Sequence, residues 1–502
     1  MTSSEVLSPR PPIHTIAKKN TGEIKMITGT KQQEEIWKEM EEGDNHMVIE
    51  AGAGVGKTFT IVEGSNRIDA TKIGFLCFNK SLQKELSDRL PQNVEAKTFH
   101  ALGFAAIRAA GIRTKVNNYK TKNIIDDYHG KDFNSFPLAK LIGLMKGSMV
   151  DAHDLRSIRF LIDKYNIEFE SSREEDMAID SIPDIMDECL KQTHVIDFDD
   201  MIWLPLQKNL PFPSFDVLFV DEAQDFNEMQ RELIFRCVKN GRCIVVGDPN
   251  QAIYGFRGAD SNSMSIFKEQ LLKTNRGVSE FPLSLTWRCP KSVVAEANRY
   301  VKDFNCLETA EQGAVKVNAP FKPVEGDMVL CRYNAPLVNA FYELILQGKS
   351  AYVLGRDMTK GLVNYVNKIT RNKNMGTKEF TQLLENDFNV SYNRLMKADK
   401  INQANTLEDK YNCVKIFAAR ADTVGGILEE IKRVFDNNEK GEIMLSTVHK
   451  AKGLEADNVY ILATERMPHP KATNPREERN ICYVAITRAK KNLFYCGPKP
   501  GN

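Results

Sequence analysis

His46 to Gly64 reads HMVIEAGAGVGKTFTIVEG, and this stretch decides the fold. Met47 to Ile49 is a short apolar run that reads as a buried strand. It opens into Ala51-Gly52-Ala53-Gly54-Val55-Gly56-Lys57-Thr58, a loop of small residues with Ala where the commonest form has Gly. Such a loop lets backbone N–H groups converge on a triphosphate, and the following helix adds its positive N-terminal end. Lys57 is spaced to reach the β- and γ-phosphates, and Thr58 to ligate Mg²⁺. Together with Phe59, these residues are the candidate ATP-contacting set. A strand before, a helix after and an intact Gly-Lys-Thr separate it from a glycine-rich turn with an incidental lysine.

The second half of the site comes about 160 residues later. Phe215 to Val220 reads as another buried strand, and it ends in Asp221-Glu222-Ala223-Gln224-Asp225. An acidic pair at a strand end suits a water-mediated Mg²⁺ ligand, Asp221, beside a carboxylate that polarises the attacking water, Glu222. A solvated acidic turn would need no hydrophobic strand aimed at it. A third strand, Cys243 to Val246, runs into Gly247-Asp248-Pro249-Asn250-Gln251. Strands that end in polar chemistry on one edge indicate a parallel sheet with a nucleotide along its carboxyl edge.

The whole chain agrees with a soluble machine of several parts. Its 502 residues suggest about three or four domains. Hydrophobic content of 42% and charged content of 27% fit globular cores. No run of eighteen apolar residues occurs, so no membrane partner is expected. The start has no apolar core for a secretory signal, and residues 1–24, with Pro9, Pro11 and Pro12, read as a disordered lead-in. Ten scattered cysteines without a CxxC pair read as reduced thiols, and the expected location is cytoplasmic, a host cytoplasm for a virus or a nucleus for a eukaryote. A net charge of +1 decides nothing about nucleic acid, because a basic groove can form on a chain with no overall excess of basic residues.

Further motifs follow in order: TxxQ at Thr30 to Gln33, FNK at Phe78 to Lys80, TFHALG at Thr98 to Gly103 and GDPNQAIYGFRGAD at Gly247 to Asp260. LTWRCP at Leu285 to Pro290, CRYNAPL at Cys331 to Leu337, STVHKAKGLEAD at Ser446 to Asp457 and YVAITRAKKNL at Tyr483 to Leu493 complete them. With the phosphate loop and the acidic strand end, the series resembles superfamily 1 helicases of the UvrD/PcrA/Rep group from about residue 28 to 496. FNKS and TFHALG also resemble F-box DNA helicases and short phage-type members.

The resemblance implies an α/β protein with two RecA-like parallel-sheet domains, ATP between them and mainly helical inserts. It implies that Gln33 reads the adenine edge; Gln32 is its rival, and the spacing to Thr30 and Ile36 favours Gln33. Trp287 stands where the family stacks a tyrosine on adenine, the alternative being a core tryptophan. Arg288 and Arg488 match charge-stabilising arginines, Gln251 a γ-phosphate sensor, Glu455 an acidic residue near the ribose, and Gln224 a link to neighbouring groups. For single-stranded DNA, the matching positions are Asn79, Thr98, His100, Tyr254, Phe256, Arg257 and His449. Tyr254-Gly255-Phe256-Arg257 interleaves aromatics with an arginine, which suits base stacking, although the family has Trp where Phe256 stands. Either Cys77 or Phe78 takes the place of the family's base-contacting Phe.

The first RecA-like domain is expected at 25–100 and 190–280, around a helical insert at 101–189. The second is expected at 281–358 and 440–502, around a small accessory insert at 359–439. The first insert opens with Arg108, Arg113, Lys115, Lys120 and Lys122, which read by default as a solvated face. The fourteen residues after Arg488 hold no nuclease domain, which is expected of a helicase without a fused nuclease. The reading that results is a DNA helicase acting on single strands and single/double-strand junctions, 3′-to-5′ by resemblance. A translocase that strips proteins from single strands is the alternative among motors. A binding scaffold with a dead phosphate loop is opposed by the intact set Lys57, Thr58, Asp221, Glu222, Gln251, Arg288 and Arg488.

Overall fold

The computed structural model describes residues 29–501 except 78–79, 166, 256–261, 399, 436–441 and 473. The lead-in at 1–24 and the expected strand contacts Asn79, Phe256 and Arg257 therefore lie outside the described residues, as does Phe78.

Two six-stranded sheets organise the chain, and every pairing in them is parallel. The first contains β1 (His46–Ala51), β2 (Ile73–Cys77), β3 (Val94–Thr98), β4 (Val217–Val220), β5 (Arg242–Gly247) and β6 (Val278–Leu283), in the order β3-β2-β4-β5-β1-β6. The second contains β7 (Ala314–Lys316), β8 (Met328–Cys331), β9 (Ala351–Leu354), β10 (Ile443–Thr447), β11 (Ala456–Ile461) and β12 (Ala489–Tyr495), in the order β7-β12-β11-β8-β10-β9. Strand β6 runs through residue 280, where the sequence placed a domain edge, because its backbone pairs along β1 up to Leu283.

The inner strands are apolar on both faces, as parallel strands covered by helices must be. Their alternation builds separate cores. Met47 and Ile49 on β1 and Phe219 on β4 join Met328 and Leu330 of β8 in one core that continues between the two sheets. Val48, Leu218 and Val220 face the other way, into a core shared with Leu138, Ile142 and Ile182 of the first insert. Val329 and Cys331 likewise turn to Phe417 and Ile431 of the second insert. The order from end to end is insert, sheet, shared core, sheet, insert.

The first insert lies between β3 and β4 and is helical, with helices such as Ser135–Gly147, Leu155–Lys164 and Ser172–Lys191. It also has a two-stranded parallel ladder, Lys115–Val116 with Val195–Ile196. The second insert, between β9 and β10, consists of Arg356–Ile369, Thr377–Lys397, Ile401–Ala418 and Val424–Phe435. Among the described residues no helix is long and apolar enough to cross a membrane.

One expectation is corrected inside the first insert. Lys120 is not on a solvated face: it is buried, 2.7 Å from Asp200 Oδ2, and donates to the Cys189 carbonyl. Lys146 takes the other oxygen of the same carboxylate at 2.8 Å and reaches Asp197 at 3.3 Å. A charge buried this deeply persists only with such partners. A basic run cannot reveal from sequence that its carboxylate arrives 80 residues later.

Candidate nucleotide site and strand track

The phosphate loop turns from β1 into the helix Lys57–Ser65. Gly54 and Gly56 hold left-handed backbone, φ 66° and 83°, which only glycine adopts without strain. A methyl group at Gly54 would collide with Arg288 Cβ, so the loop and Arg288 are in close contact. The neighbours of the loop are fixed from the segment after β6: the Trp287 amide donates to Gly54 O at 2.9 Å, and Thr286 Oγ1 donates to Ala53 O at 2.8 Å.

Lys57 Nζ stands 3.5 Å from Glu222 Oε1. Burial opposes the charge on Lys57, yet Glu222, Asp221, Asp248 and Asp225 outweigh it and raise the pKa above that of an ordinary lysine. Asp221 follows directly on β4, accepts the Glu222 amide at 2.8 Å and is pushed up to about 7 by burial and the adjacent Glu222 charge. Burial works to raise Glu222 as well, but Lys57 and then Lys452 hold it at about 2. Glu222 adopts left-handed backbone at φ 56°, the kind of local strain that surrounding structure must enforce. Among the described residues no group of three His, Cys, Asp or Glu side chains could hold a metal alone. The all-oxygen set of Thr58 and Asp221, in a pocket with four carboxylates around one lysine, fits Mg²⁺ shared with phosphate oxygens.

Gln224 ties the strand ends together. Its Nε2 donates to Glu222 Oε2 at 2.5 Å, and its Oε1 accepts the Asp248 amide at 2.9 Å. Gln251, on the short turn Pro249–Gln251, donates to Asp248 Oδ2 at 2.7 Å.

At the outer end of the loop, Gln33 and Trp287 flank Gly56: a methyl there would lie 3.6 Å from Gln33 Nε2 and 3.8 Å from Trp287 Cδ1. Gln33 also closes a capping box with Thr30 and donates to Thr60 Oγ1. Gln32 is spent on Ser284, through bonds of 3.0 and 3.1 Å. Trp287 keeps 47% of its surface exposed, so it is not a core tryptophan.

The second sheet's side supplies the far wall. Arg288 Nε lies 2.6 Å from Glu455 Oε2, an ion pair not aligned as a hydrogen bond. Arg488 is buried and donates to Val484 O, Leu454 O and Thr487 Oγ1. Burial and then the charge of Arg288 lower it to about 10. The Tyr483 hydroxyl accepts the amide of Ala53 in the phosphate loop at 2.9 Å.

The strand-track candidates are divided. Thr98 is buried and caps the helix Phe99–Ala109 through the Ala101 amide, so its hydroxyl serves that helix. His100 is half-buried, its pKa lowered by burial, and its ring meets Phe198 edge-on at 5.5 Å. Tyr254 OH donates to the His449 carbonyl at 3.1 Å, bringing those two together. Cys77 is fully buried and its thiol is pushed up to about 12, chiefly by burial, so it does not face a strand.

Two residues here escaped the sequence reading. Phe198 is 51% exposed beside His100, in a stretch where Asp197 and Asp200 are buried; an aromatic among three aspartates was the signal available. Lys452 bridges to Asp225 Oδ2 at 2.5 Å and donates to Gln251 O at 2.8 Å. It sits inside a quoted motif, but its reach depends on how the two halves pack.

The chain matches the UvrD/REP helicase N-terminal domain over residues 31–271 and the UvrD-like helicase C-terminal domain over residues 161–496. It belongs to the UvrD-like helicase family. It is 25% identical to F-box DNA helicase protein 1 of Schizosaccharomyces pombe, over 89% of this chain and 55% of that protein. It is 22% identical to F-box DNA helicase 1 of Gallus gallus, over 93% of this chain and 48% of that one. The chain thus spans about half the length of these relatives. With ATP-dependent DNA helicase Rep of Buchnera aphidicola it shares 23% identity over 89% of this chain and 92% of that protein. The two all-parallel sheets and helical inserts are the α/β architecture expected of such a member.

Proposed function

We propose that this UvrD-like chain is an ATP-dependent DNA helicase that moves 3′-to-5′ on single-stranded DNA and opens duplexes at single/double-strand junctions. The division expected from the sequence is kept with two shifts: the first domain extends to Leu283, where β6 ends, and its insert extends past residue 189 to include Val195–Ile196; the second domain carries its insert at 359–439. The observation that most supports this reading is the phosphate loop lying between two sheets: Lys57 meets Glu222 on one side, while Ala53 meets Tyr483 on the other. Closing and opening such a cleft converts hydrolysis into movement of one half against the other.

Lys57 neutralises the β- and γ-phosphates, and backbone amides of residues 51–59 cradle them. Thr58 and Asp221 would hold Mg²⁺, which would supply positive charge against the charge on the transferred group. Glu222 accepts the proton of the attacking water, a task suited to a carboxylate kept ionised by Lys57 and Lys452. Gln33 and Trp287 receive adenine and Glu455 the ribose. Arg288 and Arg488 stabilise the developing charge as Gln251 senses the γ-phosphate. His100, Phe198, Tyr254 and His449 form the strand-facing side.

The deciding experiment measures ATP hydrolysis with and without single-stranded DNA, then unwinding of 3′-tailed, 5′-tailed and blunt duplexes in DNA and RNA. DNA-stimulated hydrolysis and opening of 3′-tailed DNA alone are expected. Hydrolysis with protein removal but no strand displacement would replace the helicase by a translocase. No hydrolysis at all would leave a binding scaffold.

A further inference from the structure

The turn that carries Gln251 is gripped from the other half of the molecule. Asn480, buried on the helix Pro475–Ile486, donates through Nδ2 to Pro249 O at 3.1 Å and to Ala252 O at 3.0 Å. One amide NH₂ carries two hydrogens and can hold two carbonyls at once. Lys452 takes the carbonyl between them, Gln251 O. Three carbonyls of the segment 249–252 thus accept from side chains of the second half, and the turn belongs mechanically to both halves.

Asn480 is also the middle of a series. Three residues before it, Glu477 Oε1 accepts the amide of Gly255, the residue after Tyr254, at 3.3 Å. Three residues after it, Tyr483 accepts the Ala53 amide of the phosphate loop. Spacing of three places all three side chains on one helix face, along about 9 Å of axis at 1.5 Å per residue. A single helix face therefore touches the strand-track segment, the sensor turn and the phosphate loop, each through a backbone group.

We infer that Asn480 is a positioning residue that registers the Gln251 turn to the second half, so that strand engagement at the Gly255 end is carried to the γ-phosphate sensor. This rests on the motor reading above. Asn480 is buried, and its amide NH₂ is given to two carbonyls of the turn. With no strand bound, the turn receives no displacement and the clamp is not called upon. With a strand bound, the helix moves the turn through its two carbonyls, and Gln251 leaves Asp248 for the phosphate.

The test compares wild type, Asn480→Asp and Asn480→Ser for ATP hydrolysis with and without a single-stranded oligonucleotide, KM for ATP, oligonucleotide affinity and melting temperature. Asn480→Asp keeps the shape but turns a carboxylate oxygen on the carbonyls. Asn480→Ser is smaller and keeps one donor. In Asn480→Asp the ratio of stimulated to unstimulated rate is expected to fall about 10- to 100-fold, the size that two lost hydrogen bonds convert to. The unstimulated rate and KM stay near wild type, while the melting temperature falls because the buried carboxylate faces two carbonyls, and Asn480→Ser falls between. An unchanged ratio in both variants overturns the role. So does an equal fall in stimulated and unstimulated rates, which marks plain packing. A wild type whose hydrolysis ignores single-stranded DNA overturns the motor reading as well, which the wild-type measurement alone reveals.

Discussion

Lys452 Nζ, from the loop after β10, lies 2.5 Å from Asp225 Oδ2, in the loop after β4 of the other sheet, and both side chains are nearly closed to solvent. Among the described residues the remaining oxygen of Asp225 has no hydrogen-bond partner, so the carboxylate depends on this lysine. Burial pushes Asp225 up to about 6 even with Lys452 opposing it. Lys452→Met should therefore destabilise the protein by about 3–5 kcal/mol, the usual cost of orphaning one half of a buried pair. Adding Asp225→Asn should recover much of that loss. Melting temperatures of the two single variants and the double variant check this, and simple additivity would show that the pair is not coupled.

Glu222→Gln should still bind ATP but hydrolyse it very slowly, because the amide keeps the shape and cannot accept the proton of the attacking water. The Lys57 contact at 3.5 Å weakens without disappearing. Nucleotide affinity and single-turnover hydrolysis measured together decide the matter. If affinity vanished with the rate, Glu222 would be a structural or metal-holding residue.

Arg488→Ala should lower hydrolysis by on the order of 10³ or more, as loss of a charge-stabilising arginine does elsewhere, while single-strand affinity changes little. Its three hydrogen bonds all go to its own half, so it is held ready beside Arg288 and not swung out into solvent. Parallel falls in hydrolysis and DNA binding would reassign Arg488 to the fold.

Phe198→Ala should weaken binding to single-stranded DNA by about 1–3 kcal/mol, the value of one stacked base. The exposed ring has little packing to lose, so the melting temperature should hold. Fluorescence anisotropy with a labelled oligonucleotide gives the affinity. Unaltered affinity would take Phe198 off the track.

His46 makes stability depend on pH. The Cys243 amide donates to its Nδ1 at 3.0 Å, and Nε2 lies 2.9 Å from Thr274 Oγ1, whose own proton goes to Leu271 O. A second ring proton would face the Cys243 N–H. Burial first, then Arg276 and Arg242, lower its pKa from 6.5 to about 4. The unfolded chain therefore takes the proton first, and stability falls as pH drops from 6.5 to 4. The loss from this one site is about 3 kcal/mol. His46→Asn keeps an acceptor near the Nδ1 position, so its melting temperature should fall less over that range. Parallel melting curves for the two proteins across the range would remove His46 from the account.

What could be read in advance followed the range of each interaction. The phosphate loop and acidic strand end were legible because their chemistry is set by spacing within about ten residues of chain. The apolar run Met47 to Ile49 announced a buried strand in the same way. Lys120 was misplaced on the surface because its partner Asp200 is remote in sequence. Phe198 was passed over because aromatics default to the interior, and its exposure beside His100 shows only in the fold. Lys452, Asn480 and Tyr483 lay within or beside motifs already noticed, but what they hold becomes visible only when one half is set against the other.

The order of strands in the first sheet governs how the protein emerges from the ribosome. Among the described residues β1, which carries the phosphate loop, pairs with β5 and β6 alone. Both are synthesised about 190 or more residues after it. At ~5–20 residues per second, β1 waits roughly 10–40 s without a neighbour. During that interval the whole first insert is made, and its helices can pack on one another before the strand they will cover is paired. An unpaired run of Met47, Val48 and Ile49 is then the segment most open to capture by another nascent chain. Slow translation through residues 99–241 would lengthen that exposure, and chaperone demand should track it.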